Sequence, residues 1–139
     1  MSERFLEFHS GTTWIDIRLR QAILLSSCHK KFDVRIVLCY PVETQHIKQI
    51  QAAYPEANVV AAGQERIAEE LPKADIFCGH AKVSVPWEET VKAKRLRWIQ
   101  SSAAGLDHCL VPSVVESKIV VSSASGVLAD QVAEHSIAL

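Results

Sequence analysis

Two turns of small residues are the parts of this 139-residue sequence that could do chemistry. In the first, four small residues, Ser101 to Ala104, precede Gly105, so the backbone N–H groups can contact a ligand directly. We expect Gly105 to adopt an unusual φ and Asp107 to hydrogen-bond back to the turn. A concave row of N–H groups binds anions, and the pattern therefore indicates an anion site.

The second turn contains Ser123 and Ser125 and ends at Gly126, where we expect a helix to begin. The unpaired N–H groups and the positive dipole end of a helix N-terminus also favour negative charge. An alternative applies to both turns, namely that small residues only let a strand and a helix pack closely. The residue types alone leave the functional and the structural interpretation open.

The order and spacing of the two turns resemble the sequence pattern of a known family. SSAAGLDH at residues 101–108 is followed by SASGVLADQVAEH at residues 123–135. The NAD-dependent D-isomer-specific 2-hydroxyacid dehydrogenases have a similar pattern: a turn with a small residue, any residue, Gly, an apolar residue and Asp-His, then Asn-x-x-Gly, then Val-Ala-Glu-His. The resemblance covers residues 32–139, which correspond to the substrate-binding half of that family up to the helix that enters its nucleotide-binding domain.

The resemblance implies a substrate site at the first turn. The N–H groups of Ala104 and Gly105, with Ala103 beside them, would hold the carboxylate of a small 2-oxo or 2-hydroxy acid by charge-assisted hydrogen bonds. Asp107 and His108 match the family's Asp-His pair, and we interpret both as turn and packing residues.

Gly79, His80 and Ala81 correspond to a loop that also faces the substrate in that family. His80 could contact the carboxylate, or Lys82 two residues later could supply the positive charge. The structural alternative is that His80 caps the end of a strand and that Lys82 is solvated. The sequence leaves both interpretations open for each residue.

The resemblance places Ser123, Ser125, Gly126 and Glu134 on the side of the domain interface and the cofactor. Ser123 stands where the family has Asn, which alters the hydrogen bonding of the turn, although Ser caps a helix equally well. Glu134 and His135 invite a general acid/base interpretation. Because the family's helix at this position connects two domains, we expect a structural role for both.

The residues for hydride transfer have no match. In the family, the catalytic Arg, Glu and His lie in or after the nucleotide-binding domain, and no part of this chain corresponds to them. The five glycines are isolated, so there is no G-x-G-x-x-G. We therefore expect NAD or NADP to bind mainly to an absent domain, and we expect the 139 residues alone to be inactive.

The end of the sequence also favours a missing nucleotide-binding domain. The helix that we expect to run to Leu139 has a wide apolar face and no C-terminal capping residue. We interpret the chain as the N-terminal part of a longer dehydrogenase, which the resemblance implies to be a homodimer.

Strands must position these turns, and from Asp33 onward apolar β-branched segments alternate with helical ones. The alternation predicts a flavodoxin-like open parallel five-stranded sheet, order 2-1-3-4-5, with helices on both faces. Ligands bind at the carboxyl ends of the strands in such sheets, so all three turns should lie along one edge. The predicted strands begin at Val34, Asn58, Ala74, Trp98 and Ile119, and the predicted helices cover 43–54 and 64–71 and begin at Pro86 and Gly126.

The second of these helices is specified in more detail. We expect it to bury Ile67, Ala68 and Leu71 and to end at Pro72, which cannot continue an α-helix.

The chain divides into three segments in this interpretation. Residues 1–31 form an N-terminal extension of uncertain structure, with an alternating stretch over 14–20 and a candidate helix over 21–25. Residues 32–125 form the substrate-binding domain. Residues 126–139 begin the helix that leads to an absent Rossmann domain.

Composition excludes several classes of function. A net charge of −1 and a pI near 6.6 give no basic surface for nucleic acid. No apolar run approaches the ~18 residues of a membrane span, and we expect a cytoplasmic protein. The four cysteines lack C-x-x-C spacing and the histidines lack ligand spacing, so we expect reduced thiols and no metal.

Two other classes fit the same topology. A receiver or FMN-binding flavodoxin needs acidic residues or a Ser/Thr/Gly loop after its first strand, where Cys39, Tyr40 and Pro41 stand. The alternative function is a non-catalytic flavodoxin-like domain that binds a partner or a small anion. It would associate stably with its partner and would not bind NADH.

Overall fold

The structure, a computed structural model, describes residues 33–139. Its sheet is all parallel in the order β2-β1-β3-β4-β5, which confirms the predicted α/β fold and strand order. The strands are β1 Arg35–Cys39, β2 Asn58–Ala61, β3 Ile76–Gly79, β4 Trp98–Ser101 and β5 Val120–Ser122. The helices are α1 Thr44–Ala53, α2 Ile67–Glu70, α3 Trp87–Lys92, α4 Pro112–Val115 and α5 Ala129–Ala138, with a 3-10 turn at Leu71–Lys73.

Residues 1–32 lie outside the described part of the chain, and with them the alternating stretch, the candidate helix and Cys28. The expected domain boundaries after residues 31 and 125 stay predictions.

Alternating strand side chains bury both faces of the sheet. Val37, Phe77 and Ile99 are in register on one face and belong to one core cluster. Ile36, Ile76 and Trp98 are in register on the other face and are also buried. The helix residues in the core cluster are Ile67 and Leu71 near α2, Trp87 of α3 and Val114 of α4.

The direction of the crossovers decides which helix covers which face. The chain moves outward from β1 to β2, and then back across the sheet to β3, β4 and β5. Right-handed crossovers in opposite directions place their helices on opposite faces, so α1 lies opposite α2, α3 and α4. Ile50 is the buried residue of α1.

The helix expected over 64–71 is shorter than predicted, and its buried face differs. α2 begins at Ile67, and the chain continues through Pro72 in the 3-10 turn. Proline is tolerated there because the first positions of a helix need no N–H. Ala68 is exposed, whereas Glu70 is buried and pairs with Arg35. In so short a helix the inward positions are three and four residues apart, which selects Ile67, Glu70 and Leu71.

The connection from β4 to β5 contains α4, a helix that the sequence analysis did not predict. Pro112 is its first residue, where the missing N–H costs nothing, and Val114 is buried. The signal was present in the sequence, because two parallel neighbouring strands require a crossover that a tight turn cannot provide.

Candidate active site

The three small-residue turns lie side by side at the carboxyl edge of the sheet. Gly79 ends β3 and is in register with Ser101 at the end of β4. The N–H of Ser102 donates to the Gly79 carbonyl at 3.2 Å, and the N–H of Ala124 donates to the Ala103 carbonyl at 3.1 Å. These two hydrogen bonds join the turns after β3, β4 and β5 into one edge, which we call the carboxyl rim.

Ser101 fixes the turn after β4. Its Oγ accepts a hydrogen bond from the N–H of Ala103 at 3.0 Å and donates to the carbonyl of the same residue at 3.2 Å. Gly105 does not have a positive φ, and within residues 33–139 Asp107 makes no hydrogen bond. Both expectations for this turn were wrong, because a serine hydroxyl at the strand end already closes it. A Cβ at Gly105 would lie 3.0 Å from Asp107 Oδ1, an exposed side-chain atom that can move aside.

Two N–H groups of this turn are available to a ligand. Ala104 and Gly105 are exposed, and in the described part of the chain their N–H groups have no hydrogen-bond partner. The N–H of Ala103 is taken by Ser101. The arrangement offers two adjacent donors on a turn that is itself held in place, which suits a carboxylate or another small anion.

Gly79 is required by the close approach of β1 and β3. Its φ is +135°, and a Cβ at this position would lie 2.5 Å from the carbonyl oxygen of Cys39. No side chain fits at such a distance, so a glycine here lets the chain turn from β3 into the loop that carries His80.

Gln64 holds this loop and was missed by the sequence analysis. Its side-chain Nε2 donates to the His80 carbonyl at 2.9 Å, and its Oε1 accepts from the N–H of Lys82 at 2.8 Å. No motif marks a glutamine for this role, because the contact joins residues that are 16 and 18 positions apart. Only the three-dimensional structure brings the turn after β2 next to the loop after β3.

His80 stacks on His108. Their ring centroids are 4.0 Å apart and the ring planes differ by 24°. Both ring nitrogens of His108 are buried with no hydrogen-bond partner among residues 33–139. Burial lowers the pKa of His108, the nearby His80 lowers it further, and Asp107 opposes the shift. His108 is therefore a packing residue that is favoured in its neutral form.

The two residues that follow His80 differ in what they can offer a ligand. The Ala81 side chain is buried in the core cluster, so only its backbone can face the carboxyl rim. Lys82 is exposed and forms no ion pair with the described residues, which leaves its ammonium group free.

The turn after β5 is not the N-terminus of a helix. The N–H of Ser125 donates to Ser123 Oγ at 3.3 Å, and Gly126 has φ +85°. α5 begins only at Ala129, with Leu128 as its N-cap and no side-chain cap. The expectation that Gly126 opens the helix was wrong, because the chain makes a further turn in which the N–H of Ala129 donates to the Gly126 carbonyl.

α5 is exposed along its whole length. The side chains of Glu134 and His135 make no hydrogen bond or ion pair within the described residues. The exposed apolar side chains of this segment are Val127, Leu128, Val132, Ile137 and Leu139. No side chain among residues 33–139 is paired with Glu134 in an arrangement for acid/base catalysis.

Three cysteines, Cys39, Cys78 and Cys109, are free and buried. Burial raises the pKa of Cys39 to about 11 and that of Cys78 to about 12, and it also raises the pKa of Cys109. A thiolate is the reactive form, so none of the three is poised as a nucleophile.

The described residues lack the features of a metal site, a membrane span and a dinucleotide-binding loop. Over 33–139, no group of three or more His, Cys, Asp or Glu side chains could hold a metal ion. No helix of that part is long and apolar enough to cross a membrane. The glycines of the chain are isolated and do not form a dinucleotide-binding loop, so these residues do not fit a nicotinamide cofactor.

Comparisons with known proteins bear on the same part of the chain. Residues 36–137 match the family model described as D-isomer specific 2-hydroxyacid dehydrogenase, catalytic domain. The crystal structure of phosphoglycerate dehydrogenase from Lactobacillus plantarum is similar, with a TM-score of 0.55 and 19% sequence identity. The match covers 75% of this chain and 33% of that one, so this chain spans about a third of its length. No curated protein matches significantly.

Proposed function

Because the chain belongs to the D-isomer specific 2-hydroxyacid dehydrogenase family, we propose that it is the substrate-binding portion of an NAD(P)-dependent oxidoreductase. The reaction interconverts a 2-oxo acid and a D-2-hydroxy acid. Two findings support the proposal: the family match, and a rim of free donors at the edge of the sheet where α/β proteins bind ligands.

One observation supports the turn after β4 as the substrate-binding site. Ala104 and Gly105 present two adjacent N–H groups that no described residue occupies. A 2-oxo acid has a carboxylate next to its ketone, and each charge-assisted hydrogen bond to it contributes about 1.5–3 kcal/mol. The turn would therefore hold the carboxylate and orient the ketone. The ring of His80 and the ammonium group of Lys82 would line the neighbouring side.

The hydride and the proton would come from outside these residues. The described residues contain no dinucleotide-binding loop, and the chain has no counterpart of the family's catalytic Arg, Glu and His. NAD or NADP, which supplies the hydride when bound, would be held by a nucleotide-binding part of the protein. The 139 residues alone would bind substrate without converting it.

The test uses the full-length gene product. NADH and NADPH oxidation is measured with glyoxylate, hydroxypyruvate and larger 2-oxo acids. The variant Ala104→Pro removes one N–H donor, and Ala104→Ser is the matched control that keeps it. We expect the proline variant to raise KM about 10-fold to 100-fold with little change in kcat, because the carboxylate is held equally in the ground state and the transition state.

Either of two results would contradict the proposal. One is a wild-type protein that oxidises neither cofactor with any 2-oxo acid. The other is an Ala104→Pro variant that folds and keeps the KM of the serine control. The homodimer implied by the resemblance belongs to the same proposal, and sedimentation of the full-length protein tests it.

A further inference from the structure

Gln64 reaches the loop after β3 across the end of β1. β2 and β3 flank β1 in the sheet, so the turn after β2 and the loop after β3 meet only beyond the last residue of β1. The Gln64 amide spans this gap with two hydrogen bonds, of 2.9 Å to the His80 carbonyl and 2.8 Å from the Lys82 N–H. The amide nitrogen and the amide oxygen of Gln64 therefore both bind the backbone of the loop after β3.

Other contacts hold this loop less firmly. The N–H of His80 donates to the Cys39 carbonyl at 3.4 Å, and the Cys39 thiol lies 3.8 Å from the His80 carbonyl. The buried side chain of Ala81 anchors the middle of the loop. The stack with His108 holds the His80 ring, whereas Gln64 makes the two shortest hydrogen bonds to the backbone of residues 80–82, so the backbone path of the loop depends most on Gln64.

We propose that Gln64 is a positioning residue for substrate binding. It does not touch the substrate. It fixes the backbone on both sides of Ala81, so that the ring of His80 meets the substrate in one arrangement. The inference rests on the proposed function, because it assigns Gln64 to the site that holds the 2-oxo acid. A shift of this backbone would lengthen or misalign the contacts between the loop and the substrate, and polar contacts weaken steeply when their geometry departs from the ideal.

The chemistry of the amide makes the role testable. Alanine removes both hydrogen bonds. Glutamate keeps the acceptor for the Lys82 N–H but loses the donor to the His80 carbonyl, and it regains a donor only when its carboxyl group is protonated. Gln51, which is exposed on α1, is the matched control for the loss of a glutamine side chain.

The experiment compares Gln64→Ala, Gln64→Glu and Gln51→Ala in the full-length protein with bound cofactor. We expect Gln64→Ala to raise the KM for the 2-oxo acid about fivefold to twentyfold, with kcat and the cofactor KM changed less than twofold. The KM of Gln64→Glu relative to the wild-type KM at the same pH should be raised at pH 8 and should fall as the pH approaches 4.5, near the ordinary glutamate pKa of about 4.3. Gln51→Ala should behave as wild type.

Two further measurements separate positioning from general stability. Hydrogen exchange should increase in Gln64→Ala for the amides of residues 80–83 and not for β3 or β4. In a His80→Ala background, Gln64→Ala should raise KM by a smaller factor than in the wild type, because part of the effect acts through His80.

The outcomes are distinguishable. An active wild type whose Gln64→Ala variant keeps the wild-type KM and the wild-type exchange of residues 80–83 overturns the inference alone. A variant with lowered kcat and unchanged KM also overturns it. A wild type that is inactive with every 2-oxo acid overturns the proposed function and this inference together.

Discussion

The imidazole rings of His80 and His108 stack with 4.0 Å between their centroids, although the two residues come from turns after different strands. The stack ties the loop after β3 to the turn after β4 at the carboxyl rim. Both ring nitrogens of His108 are buried, and burial is the main cause of its lowered pKa. The folded structure therefore opposes the protonation of His108.

This opposition predicts a loss of stability in mild acid. As the pH falls below the ordinary histidine value of 6.5, the unfolded chain takes up a proton at His108 that the folded chain resists. The free energy of unfolding should therefore decrease from pH 7 to pH 5 and be insensitive to this group above pH 7. Urea unfolding midpoints measured at intervals between pH 5 and pH 8 test the sign.

The variant His108→Phe keeps an aromatic ring against His80 and removes the titrating group. Its midpoints should vary less between pH 7 and pH 5 than those of the wild type. His135→Gln, at an exposed position of α5, is the control and should keep the wild-type dependence. Equal pH dependence in His108→Phe and wild type would show that another group is responsible.

Gly79 should tolerate no side chain. Gly79→Ala would put a Cβ 2.5 Å from the Cys39 carbonyl oxygen, so β1 and β3 must move apart, and we expect a loss of about 3 kcal/mol or more. Gly126→Ala separates this clash from the effect of a positive φ, because Gly126 has φ +85° with no atom within 4 Å of the added Cβ. It should lose only about 1–2 kcal/mol. Thermal unfolding of both variants measures the difference, and equal losses would contradict the steric argument.

Lys94 offers a stabilising substitution. It follows α3 with φ 55°, and its N–H donates to the Val91 carbonyl at 3.1 Å, as at the left-handed end of a helix. Lys94→Gly should raise the free energy of unfolding by about 0.5–1 kcal/mol, because glycine adopts this conformation without a steric penalty. Lys92→Gly, at the last residue of α3, should lower it by about 1 kcal/mol, because glycine is disfavoured in a helix and the ion pair of Lys92 with Glu88 is lost. A destabilised Lys94→Gly variant would contradict the assignment of a left-handed conformation to Lys94.

The strand order could be predicted because β-branched runs such as Val34–Leu38 alternate with helical segments, and right-handed crossovers then allow few arrangements. The residues at which α2 and α4 begin and end could not be predicted from the sequence. α2 is too short for periodicity to identify its buried face, and α4 is set by the crossover between β4 and β5 rather than by a propensity of its own.

The turns of the carboxyl rim were found because small residues mark them. The atoms that hold them were not, since Ser101 Oγ and the Gln64 amide act through distances that only the folded chain defines. Pattern reasoning assigned the role of Ser101 to Gly105 and Asp107, the residues with the strongest turn preference, and assigned no residue to the role of Gln64. In the folded chain, contacts of Ser101 and Gln64 hold the two turns instead.

The thiol of Cys39 lies beside the loop of His80, so its reactivity reports on the packing behind the carboxyl rim. With a pKa of about 11, only about one thiol in a thousand is ionised at pH 8, and the Sγ is also 3.3 Å from the Gly63 carbonyl. In a Cys28→Ser background, which removes the cysteine outside the described residues, iodoacetamide at pH 8 should label Cys39, Cys78 and Cys109 slowly in the native protein and completely in urea. Peptide mass spectrometry identifies the labelled residues. Rapid native labelling of Cys39 would mean that the loop opens often, because an enclosed thiol cannot react until the residues that cover it move.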